Sequence, residues 1–538
     1  MKVVGTFIIT SAAYADPNFV STFGLLPPAF LPVGNKRLYQ VQANLISHLK
    51  CRKFLSIPSN FDIPENELAN ISDLGFELIK VPLELSLGAS VANVLKQAEL
   101  TGGELRILHG DTLVKNFPFE KLDVVSEGMT TEYFSWAEYR KNSVGEIKFL
   151  DGLMEGSAIN SSLGERNVLS GYFSFSDAEF YQLCLERAQY NFIFSLNEYS
   201  RERTLTPIKE GHWLDFGHLD KYYQSKAQMT TERAFNQIRI SSRTVKKSSE
   251  DKDKIHAEAA WFTNLPEPLK VFLPQFLGEF TQGKSSGYET EYLYLSTLSD
   301  LYVFGRLPTY VWQRIFQSCD DFLTAGKNFR PIKPQPSYDR LYRDKTMERL
   351  ELYATQSIVD LNRNWRYKNK LLPNLEEIVE LTANAIPSVI PDYLQITHGD
   401  FCFSNIFYDF RANIIRLVDP RGMGPDETAT IYGDVRYDIA KLFHSVVGGY
   451  DLIICDRYNL EDDGKYELTL TLPEDQNAKE RQTIFRNRSF AGHSIASASA
   501  QPISILLFLS MLPLHHDHPA RQRAFLANAL RLFVDLDE

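Results

Sequence analysis

Three polar residues in the C-terminal half of the chain have side-chain types and a spacing that suit phosphate chemistry. Asp400 lies three residues past Thr397, Asn405 follows five residues later, and Asp419 comes after a β-branched run. Two acids and an amide offer the hard oxygen ligands that Mg²⁺ prefers and usually shares with substrate phosphates. The trio therefore predicts a magnesium–phosphate site, if the fold brings the three side chains together.

The surrounding pattern indicates which elements would position them. The stretch "LQITHGD" is typical of an apolar strand that ends in a Gly-Asp turn, and "NIFYD" and "IIRLVD" are typical of short strands joined by the polar turn "FRAN". Asp400, Asn405 and Asp419 would then gather at the ends of neighbouring strands. The alternative is a hairpin whose polar ends are merely solvated.

These residues resemble a known family. His398-Gly399-Asp400, Asn405 and Asp419 look like the catalytic loop and metal-binding aspartate of the aminoglycoside-phosphotransferase and choline-kinase group, which are small-molecule kinases with a protein-kinase-like fold. The resemblance implies that Asp400 accepts the proton of the attacking hydroxyl. It also implies that Asn405 and Asp419 hold Mg²⁺ on the phosphates of ATP.

A strand lysine should grip those phosphates in the same family pattern, with an apolar residue two positions earlier against the adenine. The stretch "AFNQIRISSRTVKKSS" predicts a hairpin with "SSR" as its turn. Residues two apart share one face of a strand. Val245 and Lys247 satisfy that relation, and Thr244 with Lys246 is the alternative that has a polar neighbour. A solvated basic turn is the other interpretation of these lysines.

Three more segments extend the kinase resemblance. Glu258, in the predicted helix "DKDKIHAEAAWFTNL", would pair with the strand lysine. The stretch "YETEYLYLSTL" predicts a strand that passes into a hinge, which would place Glu291 and Leu293 beside the nucleotide base. In "YGDVRYDIAKLFHSV", Asp434 and Asp438 are expected to brace the catalytic loop rather than to do chemistry.

Composition sets the outer bounds. A chain of 538 residues exceeds what one hydrophobic core usually supports, so two or three domains are expected. The net charge of −11 argues against a partner that is a nucleic acid or an anionic membrane. Five scattered cysteines without paired spacing predict buried thiols in a reducing cytoplasm. The apolar stretch "PISILLFLSMLPL" is too short for a membrane span, and we expect a buried helix there.

Strands and helices alternate in the first part of the chain. The stretches "KVVGTFIIT", "KFLSIP", "FELIKVP" and "LRILHGD" predict strands, with "RLYQVQANLISHLK" and "GASVANVLKQAEL" as helices between them. This alternation predicts an α/β, Rossmann-like fold with a mostly parallel sheet. Ligands of such sheets bind at the carboxyl ends of the strands, where Asp111 lies. A single aspartate at that place can equally cap the next turn.

Residues 1–228 resemble the sugar nucleotidyltransferases in several stretches: "PPAFLPVGNKRLYQVQANLI", "SLGASVANVL", "GYFSFSDAEFY" and "HWLDFGHLDKYYQSKA". In that family two aspartates hold the Mg²⁺ that bridges the nucleoside triphosphate and the sugar phosphate. They correspond here to Asp111 and Asp215. The glycine at the helix start, Gly88, would lie near the nucleotide base.

The chain departs from this family in the loop after the first strand. A Gly-rich G-x-G-T-R loop with a lysine is usual there, but the sequence reads "SAAYADPNFVSTFGLLPPAF", with one glycine and no cation. Such a loop lets backbone N–H groups approach phosphate while a cation neutralises the developing charge. Lys36, or Arg37 beside it, could supply charge from another direction. The alternative is a domain that binds a nucleotide sugar without making one.

The two resemblances predict the domain organisation. We expect a nucleotidyltransferase-like domain at 1–228, followed by an α+β, protein-kinase-like bilobal domain with an N-lobe at 229–306 and a C-lobe at 307–538. Mg²⁺, ATP and a second nucleoside triphosphate of open base are the implied cofactors and substrates, with a small sugar or amino-alcohol as acceptor. The sequence allows, without indicating, a homo-oligomer.

These expectations combine into one functional hypothesis with two rivals. The leading hypothesis is a bifunctional enzyme that phosphorylates a small hydroxyl metabolite and couples the phosphate to a nucleotide, as a precursor for capsular or other surface polysaccharide. The first rival is an active kinase with a degenerate, binding-only nucleotidyltransferase domain. The second is a catalytically silent scaffold.

Overall fold

The computed structural model describes residues 5–100, 102–132, 134–143, 145–152, 166–229, 236–332, 336–338, 340–474 and 476–536. The chain divides into two compact units, residues 1–229 and 230–538. In the stretch "QSKAQMTTERAF", where the sequence predicts the change from one domain to the next, residues 230–235 lie outside the described residues.

The first unit is built from strands and helices in alternation. Its strands are β1 (Gly5–Thr10), β2 (Pro32–Val33), β3 (Lys36–Arg37), β4 (Cys51–Pro58), β5 (Phe76–Val81), β6 (Leu105–His109), β7 (Thr112–Lys115), β8 (Val124–Thr130), β9 (Glu138–Lys141), β10 (Ile147–Leu150), β11 (Arg166–Phe175), β12 (Thr206–Ile208) and β13 (His212–Asp215). Its helices are α1 (Pro17–Phe23), α2 (Leu38–Leu45), α3 (Glu65–Asp73), α4 (Leu87–Gln97), α5 (Ala178–Arg187), α6 (Phe192–Glu202) and α7 (Leu219–Gln228).

A mixed sheet forms the centre of this unit. Its main path runs β10-β9-β11-β6-β1-β4-β5, with β8 and β12 joined at the side of β11. The strands β6, β1, β4 and β5 are parallel to one another, whereas β11 runs antiparallel to β6. A separate antiparallel pair, β7 with β13, lies beyond the end of β6. The α/β fold is thus confirmed, with a mixed sheet in which the strands β6, β1, β4 and β5 are parallel.

Burial explains why these strands are continuously apolar. Phe7, Ile8 and Ile9 on β1 are all fully buried, as expected for a parallel strand covered on both faces. Val91 and Val94 on α4 pack into the same core. Each such side chain contributes about 1.5–3 kcal/mol of hydrophobic free energy. The sheet therefore holds the carboxyl ends of β1 and β6 in a fixed relation.

The second unit begins with strands and continues mostly as helices. Its strands are β14 (Asn236–Ile240), β15 (Thr244–Ser249), β16 (Phe276–Gln282), β17 (Ser285–Glu291), β18 (Ser296–Thr297), β19 (Trp365–Tyr367), β20 (Lys370–Leu372), β21 (Leu394–Ile396), β22 (Ile406–Asp409), β23 (Ile414–Leu417), β24 (Tyr432–Asp434), β25 (Asn459–Asp462), β26 (Glu467–Thr471), β27 (Ser489–Phe490) and β28 (His493–Ser494). Its helices are α8 (Lys252–Asn264), α9 (Glu267–Lys270), α10 (Leu298–Phe304), α11 (Thr309–Gly326), α12 (Lys345–Ser357), α13 (Leu375–Asn384), α14 (Val435–Val446), α15 (Tyr450–Ile454), α16 (Gln476–Arg486), α17 (Ala500–Ser510) and α18 (Pro519–Val534).

The first strands of this unit form an antiparallel sheet in the order β14-β15-β17-β16. Both predicted hairpins are confirmed: β14 and β15 pair around the turn at 241–243, and β22 and β23 pair around 410–413. Helix α8 packs on the sheet through Phe262, whose ring lies 5.7 Å from that of Phe276. This α+β organisation, an antiparallel sheet with one helix followed by a helical region, agrees with the predicted kinase-like class.

Helix α17 forms the centre of the helical region. Its residues are buried along the whole length apart from Gln501, which confirms the buried helix expected from "PISILLFLSMLPL". Apolar residues on every face are typical of a helix that other helices surround. Within the described ranges, no helix combines the length and the apolar character that crossing a membrane would require.

We predict that each unit folds by itself. A chain truncated to begin near Met229 should be soluble and should unfold in one cooperative transition, because residues 230–538 form a compact unit. Calorimetry of this chain, of residues 1–229 and of the full chain would measure this. An insoluble C-terminal fragment, with the full chain folded, would show that the two units depend on each other.

Candidate active sites

Asp400 lies on a short loop that follows strand β21. Gly399 adopts a left-handed φ of 77°, and the loop ends in a single 3₁₀ turn, Phe403–Asn405. The carboxylate of Asp438, in the first turn of α14, accepts hydrogen bonds from the backbone N–H groups of His398 (2.7 Å) and Gly399 (2.8 Å). Two short bonds to successive amides fix the backbone directly before Asp400. Asp438 therefore braces the loop in the way that the sequence suggested.

Asp434 plays a different part. It caps α14 by accepting a hydrogen bond from the N–H of Arg436 (3.0 Å), and it forms a fully buried ion pair with the guanidinium group of the same residue (2.7 Å). The hydroxyl of Tyr342 donates to it as well, at 2.8 Å. Asp434 thus supports strand β24, which pairs with β21, and reaches the loop only through that strand.

The carboxylate of Asp400 faces a cavity and is held by two neighbours. The side-chain N–H₂ of Asn405 donates to its Oδ2 at 2.9 Å, and the ammonium group of Lys441 lies 2.8 Å from its Oδ1. Burial alone would raise the pKa of Asp400, but the Lys441 ammonium, with further help from His398 and Asn405, lowers it to about 2. Asp400 is therefore a carboxylate at neutral pH.

Asp419 follows strand β23 and has a left-handed backbone with φ of 57°. Such a conformation costs of order 1–3 kcal/mol for a residue other than glycine and persists only where its surroundings enforce it. Its Oδ1 forms a short hydrogen-bonded ion pair with Lys247, and its side chain remains 35% exposed to the cavity. The strained backbone aims a carboxylate into the cavity.

Lys247 joins three elements. Its ammonium group lies 2.6 Å from the Oε2 of Glu258 on α8 and also contacts Asp419, while Tyr288 donates to Glu258 at 3.2 Å. Lys247 and Glu258 are nearly inaccessible to solvent. Burial lowers the pKa of Lys247, but Asp419 and Glu258 outweigh this and raise it. Lys246, on the opposite face of β15, is half exposed and lies 3.5 Å from Glu289.

The predicted hinge residues lie at the end of β17. Glu291 is exposed and accepts a backbone hydrogen bond from Gln275 at 3.2 Å, and Leu293 is partly buried in the segment before β18. A cavity of about 530 Å³ contains Asp400 and Asp419 in its lining. Within the described residues, neither Glu291 nor Leu293 lines this cavity. The cavity thus lies beside the reacting groups and away from the predicted base site.

In the first unit, the fold brings Asp111 and Asp215 together. Asp111 follows β6 and Asp215 ends β13, and the N–H of Phe216 donates to the backbone oxygen of Asp111 at 2.8 Å. Gly217 lies between the two carboxylates: a Cβ atom there would be 2.5 Å from Oδ2 of Asp111 and 3.3 Å from Oδ1 of Asp215. Glycine at this position therefore leaves room for two adjacent acids.

Like charges at close range shape this pair. Burial first, and then the charge of Asp215, raise the pKa of Asp111 to about 6. The ring of His218 lies 2.7 Å from Asp215 through Nδ1 and packs against Phe134 at 4.2 Å between ring centroids. Burial lowers the pKa of His218, but the hydrogen bond to Asp215 raises it overall. Two adjacent carboxylates of this kind are a suitable donor set for a divalent cation.

The other predicted residues of the first unit have mixed surroundings. Lys36 is exposed on the short strand β3. Arg37, its alternative, is buried and forms an ion pair with Glu67 at 2.9 Å. Gly88 lies in the first turn of α4, where a Cβ atom would be 2.3 Å from the backbone oxygen of Tyr190. Close packing of the backbone thus requires the glycine, whether or not a nucleotide binds there.

A short helix replaces the Gly-rich loop. Helix α1 is capped by Asp16, which accepts a hydrogen bond from the N–H of Asn18 at 2.9 Å. Phe19 and Phe23 are buried, and their rings lie 5.5 Å and 5.6 Å from that of Tyr222 on α7. The segment is therefore packed into the core, and a carboxylate already accepts a hydrogen bond from a backbone N–H group at its start.

Sequence reasoning missed several groups at these sites. Lys441 lies three residues after Asp438 on α14, a spacing that places both on one face of a helix, and this was the available signal. His218 gave no signal beyond its place in the closing segment. Lys345 and Arg349 lie on α12, far from the motifs in sequence, and line the cavity together with Arg421.

Each candidate site offers few protein ligands for a metal ion. Across the described ranges, no group of three or more histidine, cysteine or acidic side chains could hold a metal ion. Each candidate site supplies two oxygen-bearing side chains, which are Asn405 and Asp419 in one unit and Asp111 and Asp215 in the other. Mg²⁺ commonly binds through one or two protein ligands and completes its shell with water and substrate phosphates. Both donor sets fit that pattern.

The second unit has the organisation of a kinase-like fold. A lysine of its antiparallel sheet pairs with a glutamate of α8, and an aspartate and an asparagine of one loop lie near a second aspartate after β23. The first unit is an α/β domain with two acids at the carboxyl edge of its sheet. No family model matches the chain, and no curated protein sequence matches it.

Solved structures do show similarity. UDP-glucose pyrophosphorylase in complex with UDP-glucose covers 41% of this chain and 97% of its own, with 13% identity and a TM-score of 0.32. The inositol-1-phosphate CTP transferase from T. maritima covers 42% and 96%, with 12% identity and a TM-score of 0.33. A thermostable mutant of aminoglycoside phosphotransferase APH(4)-Ia covers 57% and 92%, with 14% identity and a TM-score of 0.33. At these values the likeness does not bear on substrate or activity.

We predict that the Asp438 brace stabilises the second unit as well as its loop. Asp438→Ala leaves two buried N–H groups without acceptors, at about 1–3 kcal/mol each, so the free energy of unfolding should fall by about 2–6 kcal/mol. Urea unfolding of the full chain, followed in the transition of the second unit, measures this. Asp438→Asn retains one acceptor oxygen and should recover part of the loss. An unchanged midpoint for the alanine variant would contradict the assignment.

Proposed function

We propose that the second unit is a small-molecule kinase that transfers the γ-phosphoryl group of ATP to a hydroxyl of a sugar or amino-alcohol. The single observation that carries this is the carboxylate of Asp400, held 2.8 Å from Lys441 and 2.9 Å from Asn405 at the edge of a cavity that Asp419 also lines. An ionised acid fixed in this way can accept the proton of an attacking hydroxyl.

The proposed phosphoryl transfer forms one bond to phosphorus and breaks one. The hydroxyl oxygen of the acceptor forms a bond to the γ-phosphorus, and the bond between that phosphorus and the bridging oxygen of ADP breaks. The hydroxyl proton passes to Asp400. Because the pKa of Asp400 is lowered to about 2 by Lys441, proton transfer is expected late, when bond formation to phosphorus has drawn electron density from the hydroxyl oxygen and made its proton acidic.

Lys247 would grip the phosphates of ATP. Its ammonium group is positioned by Glu258 on α8 and at present contacts Asp419. Glu291 and Leu293, at the end of β17, would border the adenine. When a nucleotide binds, the phosphate oxygens would share Lys247 with these two acids, and the buried lysine is already charged for that role.

Asn405 and Asp419 would hold Mg²⁺. The oxygen of an amide and a carboxylate that is 35% exposed to the cavity suit a cation that keeps several waters and phosphate oxygens in its shell. When bound, the cation supplies charge neutralisation at the phosphates. The left-handed backbone at Asp419 would keep its carboxylate oriented toward the cation. Asn405 would bind the cation through its amide oxygen and donate to Asp400 from its N–H₂ group.

For the first unit we propose nucleotidyl transfer. A phosphate oxygen of a sugar phosphate or alcohol phosphate would attack the α-phosphorus of a nucleoside triphosphate and form a new phosphoanhydride bond. The bond between the α-phosphorus and the α–β bridging oxygen breaks, and pyrophosphate leaves. Asp111 and Asp215 would hold the divalent cation, Lys36 would supply positive charge, and the helix start at Gly88 would lie near the base. The contact of both acids with Gly217 supports this placement.

Together the two activities would make an activated nucleotide-linked precursor for capsular or other surface polysaccharide. The kinase product is chemically the phosphate that a nucleotidyltransferase consumes. ATP and other nucleotides are cytoplasmic metabolites, and the five cysteines are all free thiols, which supports a cytoplasmic enzyme.

A second candidate is an active kinase whose first unit only binds a nucleotide or nucleotide sugar. Helix α1 favours it, because Asp16 caps the helix where a phosphate-binding loop would be and Phe19 and Phe23 tie the segment to Tyr222. A carboxylate at that place repels phosphate. The two candidates share the kinase and differ only in whether pyrophosphate is released.

We predict that Asp400→Ala lowers kcat by about 10²–10⁴-fold while ATP still binds, since Asp400 acts on the acceptor. Loss of an outer-shell partner of a metal lowers its affinity by roughly 10–100-fold, and Asp419 would be a direct ligand. Asp419→Ala should therefore lower the affinity for Mg·ATP by at least that factor. ADP release and calorimetric nucleotide titration measure the two effects. Asp517→Ala, at an exposed position before α18, is the matched control. Near wild-type rates in Asp400→Ala would make the assignment wrong.

We further predict pyrophosphate release by the first unit when one nucleoside triphosphate is supplied with the kinase product. Asp111→Asn removes one of the two metal-binding charges and should abolish the release, whereas the kinase rate should remain. A coupled phosphate assay with ATP, CTP, GTP and UTP in turn measures this. If none of the four gives pyrophosphate, and Mg²⁺ affinity is the same in Asp111→Asn, the binding-only candidate stands.

A further inference from the structure

Besides Lys254 on α8, three cationic side chains line the same cavity as Asp400. They are Lys345 and Arg349 on α12, and Arg421, two residues after Asp419. Within the described residues, none of the three forms an ion pair with a carboxylate. A chain with a net charge of −11 has thus placed three cations without ion-pair partners around one cavity.

The three side chains are held in place by the fold. Lys345 and Arg349 are four residues apart, which puts them on one face of α12. Arg349 donates from Nη1 to the backbone oxygen of Ser510 at 3.0 Å. The backbone N–H of Arg421 donates to His398 at 2.9 Å, so Arg421 is tied to the loop that carries Asp400. Their position relative to Asp400 is therefore a property of the folded unit.

The three cations repel one another. Burial, and then the guanidinium groups of Arg421 and Arg349, lower the pKa of Lys345 to about 8. Burial and Arg421 likewise lower the pKa of Arg349. Holding like charges together in a partly buried place costs free energy that a bound anion would offset. Glu427 and Glu348 are near enough to Lys345 to counter its shift in part, without pairing with it.

Four of the six acids that line the cavity, Asp251, Glu258, Asp400 and Asp419, are engaged by other groups. Asp400 is held by Lys441, and Asp419 and Glu258 share Lys247. Asp251 caps α8 by accepting a hydrogen bond from the N–H of Lys254 at 3.1 Å. Asp253 lies beside it, at the α8 end of the lining. Within the described residues, none of these acids forms an ion pair with the three cations, and Glu427 offsets the lowered pKa of Lys345 only in part.

Lys345 and Arg349 lie on the wall of the cavity that the helical region forms. Lys345 and Arg349 share it with Tyr437 on α14 and with Ile503 and Leu506 on α17, all from the helical region. The lysine expected to grip ATP phosphates, Lys247, comes from the antiparallel sheet. A ligand on this wall would reach Asp400 from the side opposite to the nucleotide.

We propose that the acceptor of this kinase carries, besides its reacting hydroxyl, an oxyanion group that Lys345, Arg349 and Arg421 bind. This deepens the proposed function and rests on it. Guanidinium groups bind the oxygens of phosphates and carboxylates in a bidentate geometry, and an ammonium group adds charge. The substrate class is thus a sugar phosphate, a phosphorylated polyol or a sugar acid. Neutral sugars and cationic amino-alcohols are disfavoured.

Matched acceptor panels test this. ADP release is measured with glucose, glucose 6-phosphate and glucuronate, and with glycerol, glycerol 3-phosphate and glycerate. We expect kcat/KM to be at least tenfold higher for an anionic member than for its neutral partner, and the phosphate and carboxylate arms identify which oxyanion is used. Hydrogen bonds to charged groups correspond to about 10–100-fold in affinity, so Lys345→Gln and Arg349→Gln should each raise KM for the anionic acceptor by about tenfold or more, with KM for ATP unchanged.

Arg343→Gln is the control, because Arg343 is exposed, pairs with Glu380 and Asp344, and lies two residues before Lys345 outside the cavity lining. It should leave every KM as in the wild type. Equal or higher kcat/KM for the neutral members would overturn the proposal, as would equal effects of Lys345→Gln on neutral and anionic acceptors.

Direct binding separates this proposal from the kinase assignment. Calorimetric titration with inorganic phosphate needs no turnover, and the combined Lys345→Gln and Arg349→Gln variant should weaken phosphate binding at least tenfold relative to Arg343→Gln. If phosphate binds in this way but no acceptor yields ADP, the oxyanion site stands and the kinase assignment fails. If phosphate binds equally well to the combined variant, the oxyanion site is wrong whatever the kinase does.

Discussion

The second unit depends on the ammonium group of Lys247. One buried charge connects strand β15, helix α8 and the residue that follows β23, because Glu258 and Asp419 both bind it. Removing one partner of a buried ion pair costs about 3–5 kcal/mol, since the other is left uncompensated. The sheet, the helix and the strained backbone at Asp419 therefore form one cooperative arrangement.

The loop of Asp400 is held by a second, separate set of charges. Asp438 binds the backbone before the catalytic position and Lys441, one turn further along α14, binds the Asp400 carboxylate itself. A single helix face thus fixes both the path of the loop and the ionisation of its acid. In the proposed kinase, this separation would leave Lys247 for the nucleotide and Lys345, Arg349 and Arg421 for the acceptor.

The candidate site of the first unit contains two adjacent acids, and an acid-capped helix lies where a cationic loop was expected. Asp111 and Asp215 lie on both sides of Gly217, and burial together with the neighbouring charge raises the pKa of Asp111 to about 6. Such a pair is costly without a cation. On the other side of the proposed phosphate path, Asp16 and the aromatic packing of α1 replace a positively charged loop. The acids favour a metal and the helix disfavours free phosphate, which is why the release of pyrophosphate is the decisive measurement.

The sequence by itself indicated many of the elements and the candidate site residues. The apolar runs of β1, β4 and β6 and the alternation with helices follow from local patterns, and the spacing of Asp400, Asn405 and Asp419 reflects a loop and a hairpin that are contiguous in the chain. The sequence favoured Lys247 over Lys246 because Val245, two positions earlier on the same face of the strand, is apolar, whereas Thr244 is polar. Only the tertiary structure decided the electrostatics. Lys441, Lys345 and Arg349 meet the site from helices distant in sequence, and the packed α1 segment is defined by Tyr222 on α7. Charges act through space and fall off within a few ångströms, so their partners are set by the folded distances and not by the order of residues along the chain.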